Sequence, residues 1–288
     1  MDFGSSKLHD SLLPYDILAN ADNAVKYDNN FTYSYAKGGS KPIPKITFNG
    51  KQLRAGSDFT VSYKNNKAVT SANSASAVVK GKGNFKGTIQ ISYRITPQEL
   101  SKMTLLAADR VYQAKPGIYK ITPNLVDIDG KNLNAGKDFD KDSIAYSYAH
   151  NVVLDNGTSK KAGDAVDSAD IIPADTGIRI VIQAGTAGNY TGTFEGIYYI
   201  RKMDIKSAKV NIPAQIYTGK EIVLSQSDIS IAVKNTPLTA DDYEIIGCMN
   251  NIKKGKASII IKGKGNYGGT KTVNFTIKSK GFIWWKKE

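Results

Sequence analysis

One short phrase is written three times along this chain of 288 residues. Gly83-Asn84-Phe85-Lys86-Gly87-Thr88 returns as Gly188-Asn189-Tyr190-Thr191-Gly192-Thr193, and again as Gly265-Asn266-Tyr267-Gly268-Gly269-Thr270. Seven residues after each threonine stands an isoleucine (Ile95, Ile200, Ile277), and two residues before that isoleucine stands an aromatic (Tyr93, Tyr198, Phe275). A glycine-bearing turn feeding a strand of alternating apolar residues, repeated in tandem, marks one supersecondary unit that has been copied. The sequence therefore predicts an all-β fold of three β-sandwich modules. Such modules reach, display or bind more often than they catalyse.

A second phrase travels with the first. It reads Phe48-Asn49-Gly50-Lys51-Gln52-Leu53-Arg54-Ala55-Gly56-Ser57-Asp58-Phe59 in the first copy and Ile128-Asp129-Gly130-Lys131-Asn132-Leu133-Asn134-Ala135-Gly136-Lys137-Asp138-Phe139 in the second. The third copy is worn: Lys234-Asn235-Thr236-Pro237-Leu238-Thr239-Ala240-Asp241-Asp242-Tyr243. Asn-Gly and Asp-Gly tolerate the positive φ of a type I′ hairpin, so tight turns are expected in the first two copies. Pro237 predicts a different turn in the third. Asp58, Asp138 and Asp242 each stand beside an aromatic and are expected to cap a turn by accepting from backbone N–H groups. Strict alternation at Ala75, Ala77 and Val79, at Ile178, Ile180 and Ile182, and at Ala257, Ile259 and Ile261 implies sheets with one face buried and one wet.

These anchors set the boundaries: a lead segment over residues 1–26, repeats over 27–96, 97–200 and 201–277, and a tail over 278–288. From Leu53 to Gly83 is 30 residues and from Leu238 to Gly265 is 27, but from Leu133 to Gly188 is 55. The middle copy thus carries a polar, turn-rich insertion at about 151–175, and loops of that length are functional or disordered. Short joints between copies predict an elongated arrangement. Pro97-Gln98-Glu99-Leu100 suits one helical turn, and Leu12 to Ala24 is the longest helix candidate.

The formal charge is +13, yet only five of the 39 basic residues are arginine. Specific nucleic-acid readers lean on arginine, so none is expected as a partner. The lysine excess reads as a solvated surface able to attract anionic polymers, bacterial wall polymer among them. With one cysteine, Cys248, no intrachain disulfide can form; it is read as a buried, inert thiol. Two histidines, His9 and His150, leave no basis for a histidine metal site or a Ser/His/Asp set. No apolar run is long enough to span a bilayer, and Met1 to Asp10 lacks the basic and apolar regions of a signal peptide, as in a mature or excised form.

Tyr217-Thr218-Gly219-Lys220-Glu221-Ile222, a short strand, the Leu-x-x-Gly-x-Asp-Phe/Tyr phrase and Lys-Gly-Lys-Gly-Asn-Tyr-x-Gly-Thr together resemble the bacterial immunoglobulin-like repeats of secreted and wall-attached Gram-positive proteins. The resemblance runs from about residue 27 to 277. It implies Ig-like sandwiches outside the cell, secreted or surface-attached, with no catalytic residues to transfer. It further implies an adhesin or ligand-binding segment for a host glycoprotein, immunoglobulin included, or for a glycan. A spacer stalk and a carbohydrate-binding accessory region of a polysaccharide-degrading enzyme are the alternatives. A monomer is expected.

Candidate contact residues lie in the insertion (Asp155, Asn156, Lys160, Lys161, Asp164), in the turn aromatic Tyr190, and in the tail pair Trp284 and Trp285 beside Lys286-Lys287. Tyrosine and tryptophan offer flat faces to sugars or an interface, although a turn ring packed over the sandwich end competes with that reading. The tail has the same ambiguity between surface contact and folding back. Lys80-Gly81-Lys82-Gly83 lacks the ending of a phosphate loop and reads as a hairpin. The aspartates of the middle copy admit calcium at a joint, but without an EF-type loop and with lysines interleaved they favour a solvated loop; no cofactor is expected.

Overall fold

The computed structural model describes residues 15–16 and 25–280. It is all-β, with three-residue 3-10 turns at Leu100–Lys102, Lys141–Ser143, Ile205–Ser207 and Gln226–Asp228. The same pair of sheets is built three times. In the first copy Val25–Tyr27, Ile46–Phe48 and Lys51–Gln52 form one sheet; Phe31–Ser34, Thr88–Thr96, Ala75–Gly81 and Phe59–Lys64, in that order, form the other. In the third, Lys209–Asn211, Ser230–Val233 and Thr236–Pro237 stand beside Gln215–Ile216, Thr270–Lys278, Gly255–Gly263 and Tyr243–Met249. The middle copy has Thr104–Leu106 with Asn124–Val126, and the order Arg110–Val111, Thr193–Arg201, Gly177–Gln183, Ala145–Tyr148. The fold is a tandem of β-sandwich modules.

The chain divides into two compact units. One holds the first module with residues 97–106, 124–144 and 181–195 of the middle module; the other holds residues 107–123 and 145–180, together with 196 onward and hence the third module. In the first unit, Val25 and Ile46 from one sheet, with Leu53 just after its last strand, meet Phe59, Val79, Ile89 and Ile91 from the other in a single core. Burying such an Ile or Phe stabilises the fold by about 2 kcal/mol. In the second unit Ile178, Ile180, Ile259 and Ile261 are fully buried, as their alternation requires.

The leading segment of each copy serves both sheets. Val25–Tyr27 pairs antiparallel with Ile46–Phe48; the chain then bends at Asn30 (φ 57°), and Phe31–Ser34 runs parallel to Tyr93–Thr96. The third copy repeats this, with Lys209–Asn211 antiparallel to Ser230–Ala232 and Gln215–Ile216 parallel to Ile277–Lys278. In the middle copy Arg110–Val111 runs parallel to Ile200–Arg201.

The two recurring phrases touch. The Asp58, Asp138 and Asp242 carboxylates accept from the N–H groups of Arg54 (2.7 Å), Asn134 (2.8 Å) and Thr239 (2.7 Å), as expected of turn caps. Their backbone carbonyls accept from Lys82 (2.9 Å), Gly185 (3.1 Å) and Lys264 (2.8 Å), at the entry to the Gly-Asn-aromatic turn. That turn needs glycine at two places: Gly83, Gly188 and Gly265 take φ of 65°, 72° and 56°, and Gly87, Gly192 and Gly269 take 85°, 74° and 79°.

Some local expectations change. Asn49 and Gly50 (φ 47° and 76°) form the type I′ turn, but in the middle copy only Gly130 of the Asp-Gly pair has positive φ (73°). There the Asp127 carboxylate accepts from Asp129 N–H and Lys131 N–H and holds a different bend. The third copy does make the positive-φ pair, at Lys234 and Asn235 (46° and 67°), and Pro237 sits harmlessly in the edge strand Thr236–Pro237. Tyr15–Asp16, inside the proposed helix Leu12 to Ala24, is a strand parallel to Phe85–Lys86; the other residues of that span lie outside the described residues. Gln98–Glu99 is likewise extended, and the helical turn starts at Leu100. Cys248 is half-buried in Tyr243–Met249.

Replacing Asp58 or Asp242 by Ala is expected to cost about 1–2 kcal/mol through loss of charge-assisted bonds at an exposed turn, one from Arg54 N–H and two from Thr239 N–H and Oγ1. Asp138→Ala should cost more, because Asp138 is buried and also holds Lys37 Nζ at 2.8 Å. Urea unfolding midpoints of the three variants, at unchanged slope, check that ranking.

Candidate functional site

The insertion is ordered from within. Val152–Val153 pairs antiparallel with Ser159–Lys160 across a turn in which Leu154 N–H donates to Thr158 O and Gly157 has φ 82°. Its return limb lies along the strand Ala145–Tyr148: Tyr148 N–H donates to Asp164 O, Gly163 N–H to Tyr148 O, and Val166 N–H to Tyr146 O. The limb thereby covers an edge strand that would otherwise offer open backbone groups. Leu154 and Ile172 are buried and root the loop.

Asp170 is its polar anchor. The buried carboxylate accepts from Tyr148 Oη at 2.8 Å and Asp167 N–H at 2.9 Å, with Lys160 Nζ at 3.3 Å. Burial pushes its pKa up, but these partners outweigh burial and hold it below the usual aspartate value. Tyr148 is pushed up, first by burial and then by its bond to Asp170.

The candidate residues separate by role. The Asp155 carboxylate accepts from Tyr112 Oη (2.5 Å) and from Asn266 Nδ2 (3.0 Å). Lys160 is half-buried on Asp170. Asn156, Lys161 and Asp164 are exposed; Asn156 Oδ1 accepts from Thr158 N–H, and Asp164 Oδ2 from Lys161 N–H. Tyr190 belongs to the other unit and is only 3% exposed, packed on Tyr35. Trp284 and Trp285 lie outside the described residues. Exposed Val153 joins the polar tip of the hairpin, a position that loop composition alone did not single out.

Among the described residues no group of three or more His, Cys, Asp or Glu is placed to hold a metal ion. The aspartates of the middle copy act one by one as turn acceptors: Asp127 for Asp129 and Lys131, Asp140 for Asp142, Asp164 for Lys161, Asp167 for Ala169.

Sequence reading missed a repeated joint. Within the first unit, Tyr35 and Tyr190 meet edge to face at 5.5 Å, and Gln98–Glu99 runs parallel to Tyr190–Thr191. Asn189 accepts at its backbone O from Gln98 N–H (3.1 Å) and at Oδ1 from Val69 N–H (3.2 Å). Within the second unit, Tyr112 and Tyr267 meet edge to face at 5.7 Å, and Met203–Asp204 runs parallel to Tyr267–Gly268. Asn266 accepts at its backbone O from Met203 N–H (3.0 Å) and at Oδ1 from Ala174 N–H (2.7 Å). The signal was present: a tyrosine opens each copy at residues 35, 112 and 217.

No family model and no curated protein matches the chain. Among solved structures it is similar to protocadherin gamma B7 extracellular cadherin domains 1–4, at 12% identity and TM-score 0.19, covering 88% of this chain and 75% of that one. It is also similar to the Dpr2 Ig1-Ig2 complex with DIP-Theta Ig1-Ig3, at 9% identity and TM-score 0.20, covering 89% and 99%. Sidekick-1 immunoglobulin domains 1–4 follow at 10% and 0.18, covering 89% and 76%. At these scores the likeness carries no argument, and the fold rests on the strand topology above.

Two outcomes follow from this geometry. Asn266→Ala removes the side-chain bonds to Ala174 and Asp155. Amide exchange at Ala174 and Met203 should then speed up about tenfold, for a loss of roughly 1–1.5 kcal/mol, while Gly255–Gly263 keeps its protection. Because the Asp170 carboxyl titrates lower in the fold than in the unfolded chain, its contribution is complete above the ordinary aspartate pKa of about 3.9 and is lost as pH falls through and below it. Tyr148 ring and Ile172 methyl resonances should shift together below about pH 4, and Asp170→Asn should abolish that step.

Proposed function

We propose that this chain is a non-catalytic, extracellular ligand-binding segment of a bacterial surface protein. In this reading the middle module's insertion is the contact element, and its ligand is a host glycoprotein or a polysaccharide. One observation supports the reading above all: a single copy carries an ordered hairpin that is rooted by Asp170 and steadied by Asp155, while Val153, Asn156, Lys161 and Asp164 remain exposed. A loop already held in shape gives up little conformational entropy on binding, which favours affinity. The excess of lysine adds long-range attraction for acidic glycans or wall polymer.

The spacer reading has its own support in the repeated joint. Tyrosine pairs and two-residue parallel strands link linker to module at both places, a construction suited to holding modules in register.

Arrays of host glycoproteins, mucins and acidic polysaccharides probed with the whole chain separate the two. The binding reading expects capture that Asn156→Ala/Lys161→Glu reduces at least tenfold, with the Asp170 anchor intact. Capture unchanged by that variant removes the insertion from the site, and no capture by the parent favours the spacer.

A further inference from the structure

The third module ends in half of a joint. Tyr35 and Tyr112 are covered, at 6% and 4% exposure, each by the aromatic of a Gly-Asn-aromatic turn. Tyr217 occupies the same place at the start of the third module and is 38% exposed. Lys254 Nζ lies 5.3 Å from its ring centroid.

The surroundings correspond as well. In the first module Ser40 N–H donates to Asn66 O, and Asn66 Nδ2 to Ser40 O; in the third, Ile222 N–H donates to Asn251 O, and Asn251 Nδ2 to Ile222 O. Asn66 opens the loop whose Val69 N–H takes the side chain of Asn189. The matching loop of the third module lines an open hollow of about 460 Å³ formed by Asn250, Asn251, Ile252, Lys253, Lys254 and Lys256. All three described turns, at Phe85, Tyr190 and Tyr267, are already engaged by a two-residue parallel strand. The open half is therefore the tyrosine face.

We propose that the Tyr217 face and the hollow beside it form a docking surface for the Gly-Asn-aromatic turn of a further module of this same type, joined after Ile277. The occupant's aromatic ring stacks edge to face on Tyr217, its asparagine side chain accepts from the backbone of the loop at residues 252–254, and the third residue after Ile277 takes the linker position that Gln98 and Met203 hold after Ile95 and Ile200. Charge agrees with that choice. In the first joint Lys37 reaches Asp138, the acid that recurs in every copy, at 2.8 Å; the open hollow carries Lys253, Lys254 and Lys256 for the equivalent acid. This assignment is independent of what the insertion binds.

The test inserts a second copy of residues 201–277 directly after Ile277 of the full chain. Hydrogen exchange is then compared with the parent at Tyr217 and across residues 250–256. At least tenfold slower exchange there is expected, reversed by Tyr217→Ala or by Asn266→Ala in the added copy, while exchange in the added Gly255–Gly263 strand reports that the copy has folded. Since that duplication can misfold, a second chain carries residues 96–200 at the same point and presents Asn189 and Tyr190. A folded added module in either chain that leaves exchange at Tyr217 and residues 250–256 unchanged overturns the assignment. So does failure of both added modules to fold, because a complementary face would support them. Slowed exchange in the parent alone as its concentration rises would reassign the face to self-association and equally overturn it.

Discussion

In each module one aspartate holds the two signature phrases against one another. The carboxylate of Asp58, Asp138 or Asp242 closes its own turn, and its carbonyl receives the N–H that begins the Gly-Asn-aromatic turn. Local folding and the end of the sandwich are thus fixed by one residue. The position of that turn decides where its asparagine and aromatic ring stand, and those two groups make the contacts at both joints. This coupling explains why the phrases recur together even in the worn third copy, where most other letters have changed.

Much of this was legible because it is local. Alternation at Ala75, Ala77 and Val79 or Ile259 and Ile261 states which face is buried, and the recurring aspartates announce their capping role. What failed to show lies in partnerships across long stretches of sequence. By sequence Asp155 is a loop carboxylate, yet its partners are Tyr112 and Asn266, the latter 111 residues away. By sequence Tyr190 offers a flat face to a sugar, but its ring packs on Tyr35, brought close only by the folded joint. Turn type was equally misleading: a neighbouring carboxylate, Asp127, reshapes the Asp-Gly bend, while Lys234-Asn235 makes the tight turn without any glycine.

The insertion shows how a polar segment can be ordered without a core of its own. Leu154 and Ile172 supply two apolar roots, and the rest of its definition comes from carboxylates that each accept from a nearby backbone N–H. Such bonds satisfy the donors of a bend that water would otherwise solvate. Among the described residues Asp127, Asp140, Asp164 and Asp167 each accept within their own turn, whereas Asp155 and Asp170 are taken up by tyrosine hydroxyls and other side chains.

The parallel pairing of first and last strands has a mechanical meaning. Phe31–Ser34 lies beside Tyr93–Thr96 over four residue pairs, and the corresponding pairs in the later modules are Arg110–Val111 with Ile200–Arg201 and Gln215–Ile216 with Ile277–Lys278. Tension between the two ends of a module pulls these strands past each other lengthwise, so their hydrogen bonds must break together and not one after another. The first module has the longest such clamp, four residue pairs against two in each of the others.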